Sequence, residues 1–166
     1  MTIKRSLSLV VFLVVCAAGA YSQEPPKDIY LAPNAPKDQA KQAKGDDEVK
    51  KFEEAIKPYI EKARKTYPEA KERFLAGLPA KHTFFVTTRL TDKSGTFEQV
   101  FVAVKEIKDG VIKGLIWSDV NLVTEYKHGD SYSFPESALI DWTISKPDGT
   151  EEGNFVGKFL DTYQPN

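Results

Sequence analysis

Three observations predict an α+β domain, helices first and strands after. Apolar residues between positions 49 and 74 recur every three or four residues. From His82 onward the chain is rich in β-branched and aromatic residues that alternate with polar ones. Turn signals punctuate this second half, at Asp109-Gly110, Gly129-Asp130 and Pro147-Asp148-Gly149. Together they predict an N-terminal helix or helix pair packed on a curved antiparallel sheet of five to six strands.

Residues 1–22 form the first element, a secretory signal peptide. Lys4 and Arg5 are its positive start, and residues 7–15 are an almost unbroken apolar run. Ala17, Ala18, Gly19 and Ala20 supply the small residues that a signal peptidase needs. The apolar run is well short of the ~20 residues that span a bilayer. Two cleavage sites compete, before Tyr21 after Ala18-Gly19-Ala20, and before Gln23 after Ala20-Tyr21-Ser22. The second is favoured because polar and proline residues follow at once. Cys16, the one cysteine, is preceded by Val15, where lipoprotein processing calls for a small residue. Cleavage near Ala20 to Ser22 leaves a chain without disulfide, thiolate or cysteine-held metal. It implies an exported protein, periplasmic or secreted.

Residues 23–45 read as a flexible arm, with Pro25, Pro26, Pro33 and Pro36 among polar residues. The bulky residues 29–31 could instead add a short edge strand. Residues 46–166 are then a single domain, long enough to bury its own core. Asp46 and Asp47 suit a helix start. Val49, Phe52, Ile56, Tyr59, Ile60 and Ala63 share one helical face. Pro58 is expected to kink or split this helix, with a second one starting near Pro68 and ending at Gly77. The charged residues between them read as a solvated face. Strands are expected over residues 83–90, 97–107, 111–117, 139–145 and 154–160. Gly114, Gly129, Gly153 and Gly157 would let the sheet coil toward a partly closed barrel.

Charge narrows the partners. The chain has 23 Lys and Arg against 24 Asp and Glu, and Lys4 and Arg5 lie in the leader. This mildly acidic, mixed surface is not the basic patch that nucleic acid requires. No second apolar segment is long enough to cross a membrane.

Catalytic constellations are thin. His82 and His128 have no metal-ligand spacing between them. No nucleophile elbow, phosphate loop or dinucleotide fingerprint occurs, so no catalytic, metal or cofactor residue is assigned. Two acids in strands stand out. Asp141 interrupts an apolar strand, opposite in parity to Ile140 and Trp142. A carboxylate there must face water or accept hydrogen bonds. Glu98 also sits in a strand, and if the two met across the sheet they would form an acid/base pair. Trp117 and Trp142 read as core or cleft walls.

The runs Glu98-Gln99-Val100-Phe101-Val102, Gly114-Leu115-Ile116, Gly129-Asp130, Ile140-Asp141-Trp142 and Gly153-Asn154-Phe155 resemble the DUF2314 (YegJ-like) family of uncharacterised bacterial proteins. Ala55, Ala63-Arg64, Thr66 and Phe74 fit its N-terminal part, so the resemblance covers residues 46–162. It implies a fold and a surface of interest, without an established reaction. One departure is that Glu98-Gln99-Val100-Phe101 stands where the family has a Glu-His-x-Trp run.

The reading that follows is a non-enzymatic exported binding or protective module of the cell envelope. It would hold an envelope protein or small ligand with Glu98, Trp117, Asp141 and Trp142. The alternatives are an envelope hydrolase using Glu98 and Asp141, and a purely structural envelope protein.

Overall fold

The computed structural model describes residues 29–36 and 45–163. The expected signal peptide of residues 1–22, with Cys16, and the arm residues 23–28 and 37–44 lie outside the described residues. The domain is α+β, with one long helix, one short helix and a six-stranded antiparallel sheet.

Helix α1 (Asp46–Ala76) runs unbroken for 31 residues and contains both Pro58 and Pro68. The expected split into a helix pair does not occur. Each proline removes one helical hydrogen bond and crowds the carbonyl four residues back. Both prolines sit on the exposed side, where the freed carbonyls can meet water. Ile56, Ala63, Tyr67 and Ala70 are buried along the other side and hold the helix together by packing. Gly77, at φ 94°, stops it.

The strands are β1 (Thr83–Thr91), β2 (Phe97–Lys108), β3 (Val111–Ile116), β4 (Ser131–Pro135), β5 (Leu139–Ser145) and β6 (Glu151–Gly153). Their spatial order is β4-β3-β2-β1-β5-β6, so the sheet is open and no barrel closes. β4 is a strand beyond those expected. A 3-10 turn, Glu136–Ala138, links it to β5. The expected strand over residues 154–160 is a helix, α2 (Phe155–Leu160). Gly153 and Asn154 both take positive φ, 73° and 52°, which ends the strand. Phe155, Val156, Phe159 and Leu160 then fall on one helical face.

The main core lies between α1 and one face of the sheet. Phe84, Val86, Leu90, Val100, Val102, Ile112, Ile116, Leu139, Trp142 and Ile144 fill it from the strands. A bulge between Val104 and Glu106 changes the parity of β2. It turns Ile107 inward and leaves Glu106 exposed, where strict alternation would bury the glutamate. A second cluster of Ile56, Ile140 and Val156 joins α2 to α1 and β5, with Tyr59 stacked on Phe159 at 4.3 Å. Part of the arm is docked. Thr83 Oγ1 donates to the Tyr30 carbonyl at 2.6 Å and Asn34 Nδ2 to the Asp148 carbonyl at 3.0 Å, without forming a strand.

Candidate functional site

Register decides which candidates can act together. β1 is central, pairing with β2 on one side and β5 on the other. Glu98 faces Leu90, a core residue, so it lies on the α1 side of the sheet. Asp141 pairs with Thr87, whose neighbours Val86 and Thr88 alternate to the other face. Trp142 pairs with Val86 on the α1 side. Trp117 follows β3, and its backbone N–H donates to the Phe101 carbonyl at 2.8 Å. Its parity, opposite to core Ile116, sets its ring beside Phe85 on the outer face. Glu98 and Asp141 are therefore on opposite faces, and the four candidates do not converge on one site.

The Asp141 carboxylate is 1% exposed. Oδ1 accepts from the Trp142 N–H at 2.8 Å, and Oδ2 from the Val156 N–H at 2.6 Å. Asn154 caps α2 with no side-chain bond, so Asp141, reaching in from β5, does the work of a capping carboxylate. Burial pushes its pKa up to about 7, against the opposing pull of those amides and of Lys158.

Glu98 anchors a loop. Its carboxylate accepts from three consecutive amides, Asn121 at 3.1 Å, Leu122 at 3.0 Å and Val123 at 2.8 Å. These belong to the segment 117–130, whose ends meet where Gly129 N–H donates to the Ile116 carbonyl and Ile116 N–H to Asp130. A closed surface loop of this size is often a functional element.

Trp142 is a core residue. Its Nε1–H donates to Thr66 Oγ1 at 3.0 Å and to the Ala63 carbonyl at 3.2 Å, tying β5 to α1. Phe84 and Phe155 pack against its ring at 6.5 and 5.9 Å. One edge borders a groove of about 310 Å³ that Thr66, Glu69, Arg73, Glu152 and Phe155 also line. Arg73 and Lys146 both pair with Glu152, which holds that carboxyl near 2. A second groove of about 380 Å³ lies between α1 and the 3-10 turn, lined by Arg64, Tyr67, Glu136, Ser137 and Leu139. Burial, with a bond to Glu136, raises the Tyr67 pKa strongly.

Trp117 is half-buried and belongs to a ring cluster on the outer face. Phe85 lies 5.9 Å from it and His128 5.2 Å, and Phe101 stands edge-on to Phe85 at 6.4 Å. His128 Nδ1–H donates to the Trp117 carbonyl at 2.7 Å, which fixes both rings at the root of the 117–130 loop. Sequence reasoning singled out Trp117 but not Phe85, Phe101 or His128 as its neighbours. The signal was available in strand parity, since Phe101 has the parity opposite to the valines of β2.

Among the described residues no group of three His, Cys, Asp or Glu side chains could hold a metal, and no helix is long and apolar enough to cross a membrane.

A long helix laid across an open six-stranded antiparallel sheet, with a short helix locked on by a buried aspartate, makes this a small α+β domain. The chain belongs to the DUF2314 family of uncharacterised proteins conserved in bacteria, which it matches over residues 53–162. No curated protein and no solved structure matches it.

Proposed function

We propose that this protein is an exported binding module of the bacterial cell envelope. It acts by holding a protein or small ligand, in a protective or inhibitor-like role, without chemical turnover. The leader-like sequence of residues 1–22 supports export, and the family's bacterial distribution supports an envelope location.

The observation that carries the binding reading is how the polar candidates are used. The carboxylates of Glu98 and Asp141 are taken by backbone amides on opposite faces, and the Trp142 indole is taken by α1. An acid/base pair needs both groups within reach of one substrate. What remains presentable is Trp117 with Phe101 and His128, beside a loop that Glu98 holds in shape. A half-exposed aromatic on a preorganised loop suits recognition, because little entropy is lost when it is covered.

The test is affinity capture from envelope extract with wild type and Trp117→Ser, followed by calorimetry with each captured protein once purified. A partner bound by the wild type and weakened at least tenfold in a Trp117→Ser variant of unchanged melting temperature supports the reading. Turnover on an envelope-substrate panel, or equal binding by both forms, overturns it. No captured partner at all would leave the purely structural reading standing.

A further inference from the structure

The sheet ends in two unlike edges. β6 is three residues long, and its carbonyls at Glu151 and Gly153 accept from Lys158 Nζ at 3.3 and 2.8 Å. Glu152 between them is held by Arg73 and Lys146. A lysine over a sheet edge bars further strands.

β4, at the other end, has no such guard. In an antiparallel ladder, alternate residues bond to the neighbouring strand and the rest point their backbone groups away. Ile116 N–H donates to Asp130 at 2.9 Å and Glu136 N–H to Gly110 at 2.8 Å, which brackets the β3–β4 ladder. Counting by two from these, Tyr132 and Phe134 bond inward. Ser131, Ser133 and Pro135 direct their backbone groups to the open edge. Among the described residues nothing pairs with that edge.

We propose that β4 pairs antiparallel with β4 of a second copy, about a two-fold axis at Ser133, joining two sheets into one. The register is self-complementary. Ser133 N–H donates to the partner's Ser133 carbonyl and the reverse. Ser131 N–H donates to the partner's Pro135 carbonyl, and proline's missing N–H sacrifices only the reciprocal bond. Ser131, Ser133 and Pro135 are small and exposed, so they do not hold the strands apart. On the α1 side, Tyr132 stacks on Phe134 at 5.5 Å and meets Tyr126 edge-on, setting aromatic pairs across the seam.

Charge permits the same pairing. The two-fold sets residues 131–135 against residues 135–131 of the second copy, so a strand of one charge sign would repel itself, and this one carries no charge. The flanking acids Asp130 and Glu136 approach across the axis. Lys71 neutralises Glu136 at 2.8 Å, and the Lys127 N–H holds Asp130 at 3.0 Å. With β6 sealed, β4 cannot add to it head to tail. The assembly closes as a dimer and does not extend into a filament.

Sedimentation equilibrium over a concentration series tests this, with wild type, Ser133→Pro and Ser133→Lys. Proline is tolerated where an edge N–H faces away from the sheet, so the β3–β4 ladder should survive. Lysine keeps the N–H but sets like charges across the axis. Wild-type mass rising toward about twice the monomer value, with both variants monomeric and their melting temperatures unchanged, is the expected result. Wild type that stays monomeric, or folded variants that dimerise equally, overturns the proposal. Amide exchange of wild type gives a readout independent of variant folding. Ser131 and Ser133 must gain protection on concentration, and unchanged protection refutes the seam.

Discussion

Replacing Asp141 by asparagine separates a buried capping carboxylate from every other source of pH dependence. Burial pushes the Asp141 carboxyl up to about 7 in the fold, from 3.8 in an unstructured chain. A raised pKa means that the fold prefers the protonated acid. The stability this confers is complete below the unfolded value and is lost as pH rises through the folded one. At 1.36 kcal/mol per pH unit, the full span is about 4 kcal/mol, and about 3 kcal/mol of it falls between pH 5 and pH 8. Glu136, Asp92 and Asp148 are shifted downward, and Glu152 to about 2, so their losses come at lower pH, outside this window. Denaturant unfolding at pH 5, 6, 7 and 8 is the assay. Wild type should be more stable at pH 5 than at pH 8. Asp141→Asn should lose most of that slope. Asparagine keeps one acceptor for the Val156 N–H, so the variant should match or exceed wild type at pH 8 and fall below it at pH 5. Parallel stability curves for the two proteins would falsify the assignment of a buried, energetically costly charge to Asp141.

Glu98→Gln should loosen the 117–130 loop while sparing the fold. Its amides at Asn121, Leu122 and Val123 should exchange faster, with a stability loss of about 1–3 kcal/mol, and unchanged exchange would refute the anchoring role. The two tryptophans should separate by acrylamide quenching. Trp117→Phe should remove the accessible component and Trp142→Phe the protected one, since Trp142 is 6% exposed. Trp142→Phe should also cost about 1–3 kcal/mol by unfolding, because Thr66 and the Ala63 carbonyl lose their donor. Gly153→Ala should destabilise by about 1 kcal/mol or more. Its φ of 73° suits glycine, and a Cβ there would collide with the Trp142 carbonyl; a melting temperature equal to wild type would contradict this.

The legible part of the fold was the part written in periodicity. The apolar spacing from Phe52 to Ala70 marks the buried face of α1, and the valines of β2 mark the core face of the sheet. The prolines misled because local chemistry gives only the cost of breaking one hydrogen bond. Whether a helix survives depends on the packing beyond, and here Ile56, Ala63, Tyr67 and Ala70 straddle the breaks. The segment 155–160 misled for a different reason. Its apolar residues at 155, 156, 159 and 160 fit a helical face, but the hairpin signal at Asp148-Gly149 invited a longer returning strand. The two positive-φ residues that cut β6 short are a tertiary choice, with Gly153 pressed against Trp142.

The candidate site was legible residue by residue and illegible as an arrangement. An acid in an apolar strand signals a special environment, and Asp141 has one. The sequence does not carry the identity of its partner, the Val156 amide, because that contact exists only after α2 folds back onto β5. The same holds for Glu98, whose three amides lie more than twenty residues along the chain. Asp141 is a carboxylate costly to bury, Glu98 is partly buried, and both are satisfied by backbone N–H groups. Such pairs tie distant segments together with little side-chain packing. In this domain the acids that look catalytic by position act as the fasteners of a short helix and a surface loop. Under the proposed binding reading, recognition falls to what those fasteners hold in place, Trp117 and its neighbours on the outer face.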